Sequence, residues 1–387
     1  MRRLRRIGLG LVIVTAFLIA WEPTRVGLQT AVLLPNLLGS GPMPLTLFSE
    51  APVRSAVAYR PGPDGGEPDL AELWLPAWAS RNRPAGAVLL VLGVNNVGRN
   101  HPVVERVADG LARTGLAVLV PDSRTLLEAR LDVGEIDGVV RAYQLLASRP
   151  EVDAGRVGIA GFSVGGSLSL LAARDPRIAG DVRWVNAFGA FADAETYLAS
   201  VAAHAYLDGD VEVPWEPSAL ALQVYLRFML DQVTDADDRA RLDDALGGAV
   251  LAGDTPERDP SLRRDLLTDA ARAVHDLLTA RRLVEAQAAI AELPAASLAF
   301  IDAISPIRHI DGLEADMFLM HEKTDHHVPV VESRALAAAL DGRGLLRQHT
   351  EFRLFDHVQP DDIDLLPAAP EIVKLLLHVR TLLQDSL

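Results

Sequence analysis

Cysteine is absent from the 387 residues, which excludes disulfides, thiolate metal sites and a cysteine nucleophile. The absence fits a reducing or an oxidising compartment equally, so location has to be read elsewhere in the chain. Basic charge is scarce as well: 37 Lys and Arg stand against 52 Asp and Glu, a net of −15. With no basic stripe to release counterions from a phosphate backbone, no nucleic-acid partner is expected. Much of the acidity lies between residues 193 and 302, where 9 Arg or Lys meet 21 Asp or Glu for a net of −12, as on solvated helix faces. No internal period of roughly 20 to 50 residues stands out, which sets aside solenoids and propellers.

What is present suits a packed protein: 49% hydrophobic and 23% charged residues, with a mean hydropathy of +0.18. The length exceeds one typical domain, but a single α/β core carrying a large insertion reaches it. The chain opens MRRLRR and then runs apolar from Ile7 to Trp21, 15 residues, a positive n-region followed by a hydrophobic segment. The expectation is an uncleaved signal anchor, with Arg2, Arg3, Arg5 and Arg6 cytoplasmic and the folded domain extracytoplasmic. The alternative is secretion after cleavage near Leu18-Ile19-Ala20. A second apolar stretch, Val26 to Leu38, either lies on the membrane surface or covers the domain. Residues 1–40 are therefore set apart as anchor and apolar segment.

From Val53 the pattern turns to strands. Two leading strands are predicted near Ser55–Tyr59 and Ala71–Leu75, then almost continuously apolar ones at Ala87–Gly93, Leu116–Asp122, Arg156–Gly161 and Val182–Phe188, alternating with helical stretches. Strands buried on both faces read this way, and the alternation implies a parallel sheet with right-handed crossovers. After Phe188 about 110 residues of helical pattern precede the next strand, Ala315–His321. The expected division is a core of 50–190 and 306–387 with a helical insertion, a cap, at 191–305. In that insertion Ser218 is a plausible N-cap for the largely apolar run ALALQVYLRFML, which should be buried. A final strand, Thr350–Phe355, and a helix from Pro370 to about Leu383 close the chain.

Gly161-Phe162-Ser163-Val164-Gly165 fits G-x-S-x-G between an apolar strand and a helix start, where a strained turn exposes a serine Oγ at the carboxyl edge of a sheet. Asp325, in the loop after the strand ending MFLMH, and His357, two residues past FRLF, follow in the chain order Ser, Asp, His. A neutral His357 could take the Ser163 proton while Asp325 fixes its tautomer. Asp356 is the rival acid, but sequence neighbours point apart; His326 and His327 read as loop lining, and His101 and His309 as loop or helix-start residues. The run H-E-K-T-D lacks the second histidine of a zinc-protease helix, so no metal is expected. Oxyanion donors are expected at the N–H groups of Val164 and Val94, with the side chains of Asn95 or Asn96 as alternatives.

These residues resemble the dienelactone-hydrolase-like branch of α/β-hydrolases. The phrases ASRPEVDAGRVGIAGFSVGGSLSLLAA and HEKTDHHVP are similar to the family's nucleophile elbow and its H-G-x-x-D-x-x-V-P. Three positions depart: Ser163 stands for cysteine, Leu92 for the usual histidine before Gly93, and Glu322 for a glycine. The resemblance implies an α/β-hydrolase fold, a mostly parallel central sheet flanked by helices, with the cap before the acid-bearing strand. The expected activity is that of a serine hydrolase, a carboxylic-ester hydrolase needing no cofactor and acting on a hydrophobic small-molecule ester, with much of the acyl or alcohol pocket formed by the insertion. Alternatives are a peptidase or acyltransferase on the same residues, or a catalytically silent binding protein.

Overall fold

Alternation of side chains across a strand decides the layering here. In the strand Ala85–Val91 every residue is buried, with Leu89 facing one side of the sheet and Leu90 the other. A computed structural model of the protein describes residues 22–38, 43–60, 67–360, 365–384 and 386–387. The expected anchor, Ile7 to Trp21, lies outside the described residues. Among them no single helix is long and apolar enough to cross a membrane.

The strands are β1 (Val53–Arg60), β2 (Asp69–Leu75), β3 (Ala85–Val91), β4 (Ala117–Pro121), β5 (Val152–Phe162), β6 (Trp184–Phe188), β7 (Ala205–Asp208), β8 (Val211–Pro214), β9 (Asp316–Glu322) and β10 (Leu346–Phe352). Eight of them form one sheet in the order β1-β2-β4-β3-β5-β6-β9-β10. β2 is antiparallel to both of its neighbours, and every pairing from β4 to β10 is parallel. Chain order runs outward from β3 to β4 and then returns to β5 on the other side of β3. That reversal opens a crevice at the carboxyl ends of β3 and β5, where open α/β sheets take their ligands.

One sheet face packs Leu89, Ile159, Val185 and Met317 against residues such as Tyr143, Leu170 and Leu336 of the helices Gly134–Ala147, Val164–Ala173 and Val330–Asp341. The other packs Leu90, Val118, Trp184 and Phe318 under the helices Glu22–Leu37, Pro102–Thr114 and Leu365–Gln384. The apolar stretch from Val26 thus covers the domain: Val26 and Leu33 are buried among these helices.

Between β6 and β9 the chain leaves the sheet and builds a second cluster around Leu198, Tyr225, Phe228, Met229 and Leu277. The helix Ala219–Asp231 is buried along most of its length, and the Ser218 hydroxyl caps it by accepting from the Ala221 N–H at 3.2 Å. Several boundaries differ from expectation: β3 is shifted two residues towards the amino terminus, β5 starts at Val152 rather than Arg156, and β6 at Trp184 rather than Val182. The last sheet strand is Leu346–Phe352, not Thr350–Phe355, because its parallel register against β9 ends with Phe352 opposite Glu322. The closing helix starts at Leu365 and carries Pro370 inside it.

Candidate active site

Ser163 occupies the turn between β5 and the helix Val164–Ala173, with φ 54° and ψ −131°, a conformation that non-glycine residues rarely hold. The turn is clamped on both sides. The Ser163 N–H donates to Phe188 O at 2.7 Å, and its carbonyl accepts from Gly166 N at 2.8 Å. Gly165 is required by close approach, since a Cβ there would sit 2.4 Å from Val91 O. The helix thereby packs directly on β3, and Val164 becomes its first residue, whose N–H has no acceptor within the helix.

Asp325 lies in the loop after β9 and is buried. Its Oδ1 accepts from the N–H groups of His327 at 2.7 Å and Val328 at 3.0 Å. Its Oδ2 accepts from His357 Nδ1 at 2.5 Å, which leaves Nε2 as the imidazole's basic nitrogen. A second imidazole, that of buried His321, places Nε2 3.4 Å from the same oxygen and 2.9 Å from Val328 O. Burial alone would raise the Asp325 carboxyl. The charge interaction with His357 and hydrogen bonds from both histidines outweigh it and hold the group below the usual carboxylate range.

His357 adopts a left-handed backbone, φ 58°, between the short paired segments Phe355–Asp356 and Gln359–Pro360. Its Nε2 is buried and has no hydrogen-bond partner among the described residues, yet His357 and Ser163 line the same cavity. Catalytic hydrogen bonds of this kind often tighten only when substrate arrives. Gly189, at φ 65°, makes room for the ring: a Cβ there would lie 2.6 Å from His357 Cε1. The His327 ring stacks on that of His357, centroids 4.6 Å apart. His326 turns outward to the Glu216 carbonyl at 2.8 Å, His101 starts the helix Pro102–Thr114, and His309 meets the Asp302 carbonyl.

Val94 follows Gly93, against which Ser163 packs so tightly that a Cβ on Gly93 would lie 2.7 Å from Ser163 Cβ. The Asn95 carboxamide is committed to its own loop, its Nδ2 donating to Gly93 O at 3.1 Å and its Oδ1 accepting from Val97 N at 3.1 Å. Val94 lines the cavity that Ser163 lines. Asp325, His327 and His357 bring one potential metal-ligand atom each within 4.8 Å of one another. A cation there would have to displace the proton shared by Asp325 and His357.

Three supporting residues escaped the sequence reading. The buried Glu322 carboxylate accepts from Leu354 N at 2.8 Å and Phe355 N at 3.0 Å, and from Thr324 Oγ1 at 3.1 Å. One side chain therefore ties the loop of Asp325 to that of His357; the only sequence signal was its departure from glycine. Trp215, from the insertion, donates through Nε1 to the Asp325 carbonyl at 2.7 Å, and His321 supports the carboxylate from below. Neither announced itself. Two cavities adjoin Ser163. A cavity of about 390 Å³ beside Ser163 is lined mainly by the sheet and its flanking helices, with Leu220 the contribution of the insertion among the described residues. A smaller one, about 40 Å³, lies under the insertion.

No family model matches the chain, and no curated protein sequence does. Solved structures do resemble it. A candidate dipeptidyl aminopeptidase IV from Bacteroides ovatus superposes with a TM-score of 0.50 at 13% identity, covering 87% of this chain. The chain spans 36% of the length of that protein. An esterase from Pyrobaculum calidifontis gives a TM-score of 0.47 at 14% identity, over 93% of this chain and 88% of its own. Sheet order, elbow and superposition agree: the chain has the α/β-hydrolase fold.

Proposed function

We propose that the protein is a serine hydrolase acting on carboxylic esters, with Ser163 as nucleophile, His357 as base and Asp325 as the group that orients it. The observation that carries this is the 2.5 Å bond from His357 Nδ1 to a buried carboxylate, which leaves Nε2 as the base, in a histidine that lines the same cavity as Ser163. Ser163 Oγ attacks the acyl carbonyl as His357 Nε2 takes its proton, and the N–H groups of Val94 and Val164 bind the oxyanion. The intermediate collapses, His357 returns the proton to the leaving alcohol, and water attacks the acyl-enzyme by the same route. The described residues lining both cavities include no Asp or Glu to pair with a free α-amino group, which weighs against an aminopeptidase. The likeness of HEKTDHHVP and the elbow phrase to dienelactone-hydrolase-like proteins supports the same reading. The MRRLRR start and the apolar run to Trp21 support a membrane-anchored protein with its catalytic domain extracytoplasmic.

A fluorophosphonate probe tests the chemistry. Covalent labelling of the parent and none of Ser163→Ala is the expected result; a folded parent that stays unlabelled overturns it.

A further inference from the structure

The larger cavity is a channel along the sheet rather than a bowl over its edge. Near Ser163 it touches Gly93 and Phe188 at the carboxyl ends of β3 and β6; further in it touches Val88 and Trp184, and at the far end Leu116 and Leu383. From Gly93 back to Val88 is five strand residues, roughly 16 Å at the rise of a parallel strand. The walls are aliphatic or aromatic over that distance: Leu90 and Ala160 from the sheet, Val107 and Leu111 from one helix, Leu375 and Val379 from another.

Two polar side chains lie deep in the channel, and both are already engaged. Asn186 Oδ1 accepts from His378 Nε2 at 2.9 Å, and its amide nitrogen points to Met320 Sδ. Ser386 Oγ accepts from Trp184 Nε1 at 2.9 Å and donates to Leu382 O at 2.8 Å. A ligand passing them meets mainly hydrocarbon, while the polar lining residues His101, Asn95 and His327 accompany Ser163 and His357 in the same cavity. Leu92, where the resembling proteins carry histidine, adds one more apolar wall there. On the other side of Ser163, the small cavity under Tyr197, Leu198, Val224 and Phe228 has room for a compact group alone.

We infer that the substrate is an ester carrying one long, unbranched hydrocarbon chain, of roughly a dozen carbons by the channel length, seated between the sheet and the helices Pro102–Thr114 and Leu365–Gln384, with a compact second group under the insertion. The inference rests on Ser163 being the nucleophile. The apolar lining matters: water gains little in such a cavity, whereas each methylene buried there gains transfer free energy.

The test is the second-order rate at which n-alkyl fluorophosphonates of two to sixteen carbons inactivate the full chain. The expected rate rises roughly fourfold per added methylene over part of the series and levels off near the channel length. Ala160→Phe, which blocks the channel midway, should move the plateau to shorter chains and lower the long-to-short ratio at least tenfold; Val107→Phe, on the facing helix, makes the same test should the first variant not fold. A flat or falling series with Ser163 still labelled overturns the chain-binding inference and leaves the hydrolase reading intact. No labelling by any member overturns both.

Discussion

A single carboxylate, Glu322, holds the end of β9 to the segment that carries His357. Its two oxygens gather the Thr324 hydroxyl and N–H on one side and the Leu354 and Phe355 N–H groups on the other. Glu322→Gln turns one acceptor oxygen into an NH₂ facing donors, so two of these bonds are lost at a cost of about 1–3 kcal/mol. Urea unfolding should show that loss, and ester turnover should fall about ten- to a hundredfold in kcat as His357 drifts from its place, with KM changed less. An unchanged kcat would show that the His357 turn keeps its own geometry. Ser163, Asp325 and His357 were legible because each role demands a residue type at a strand end in a fixed order. Glu322 was not, since its partners are backbone N–H groups 32 and 33 residues away that no side-chain pattern announces.

Elements placed by periodicity were readable where both faces are buried: β3 and β4 are apolar throughout, and the structure has both strands within two residues of the expected bounds. β10 was misplaced because LRQHTEF is polar without a break from Arg347 to Glu351 and its register is set by β9 rather than by its own composition. That strand also carries Thr350, whose hydroxyl meets His378 Nδ1 at 2.8 Å and so locks the closing helix onto the sheet. His378 faces Asn186, the Phe318 ring and the charge of His349; burial first, then His349, push its pKa from 6.5 to about 3. A histidine lowered in this way is neutral in the fold and protonated in the unfolded chain below pH 6.5, so the unfolded state binds more protons. Its contribution to stability is full above 6.5 and is lost as pH falls towards 3, at up to about 1.4 kcal/mol per pH unit. Denaturant titrations between pH 7 and 4 should show this slope, reduced by about one proton in His378→Gln. An identical slope in the variant would assign the acid sensitivity to other groups.

At the scale of the molecule, the substrate channel and the expected anchor meet at one helix. Glu22–Leu37 begins directly after the apolar run that ends at Trp21, packs against the helices roofing the channel, and ends with Leu37 in the channel wall. Sequence periodicity showed an apolar stretch here but not which surface it covers, because its partners, helices Pro102–Thr114 and Leu365–Gln384, lie far along the chain. At 1.5 Å per residue the helix spans about 24 Å, so a membrane-held amino terminus would keep the hydrolase domain within that distance of the lipid surface from which a long-chain ester must come. Such a substrate is scarce in water and abundant in a bilayer, so the anchor would act on encounter rather than on chemistry. Comparing the full chain with one lacking residues 1–21 separates the two. Both forms should hydrolyse a water-soluble short ester at the same rate. The full chain should remain with membranes after alkaline washing and hydrolyse a long-chain ester presented in vesicles at least tenfold faster than the truncated form. Equal rates on vesicles would show that the channel fills from solution and that the first 21 residues serve only to place the protein.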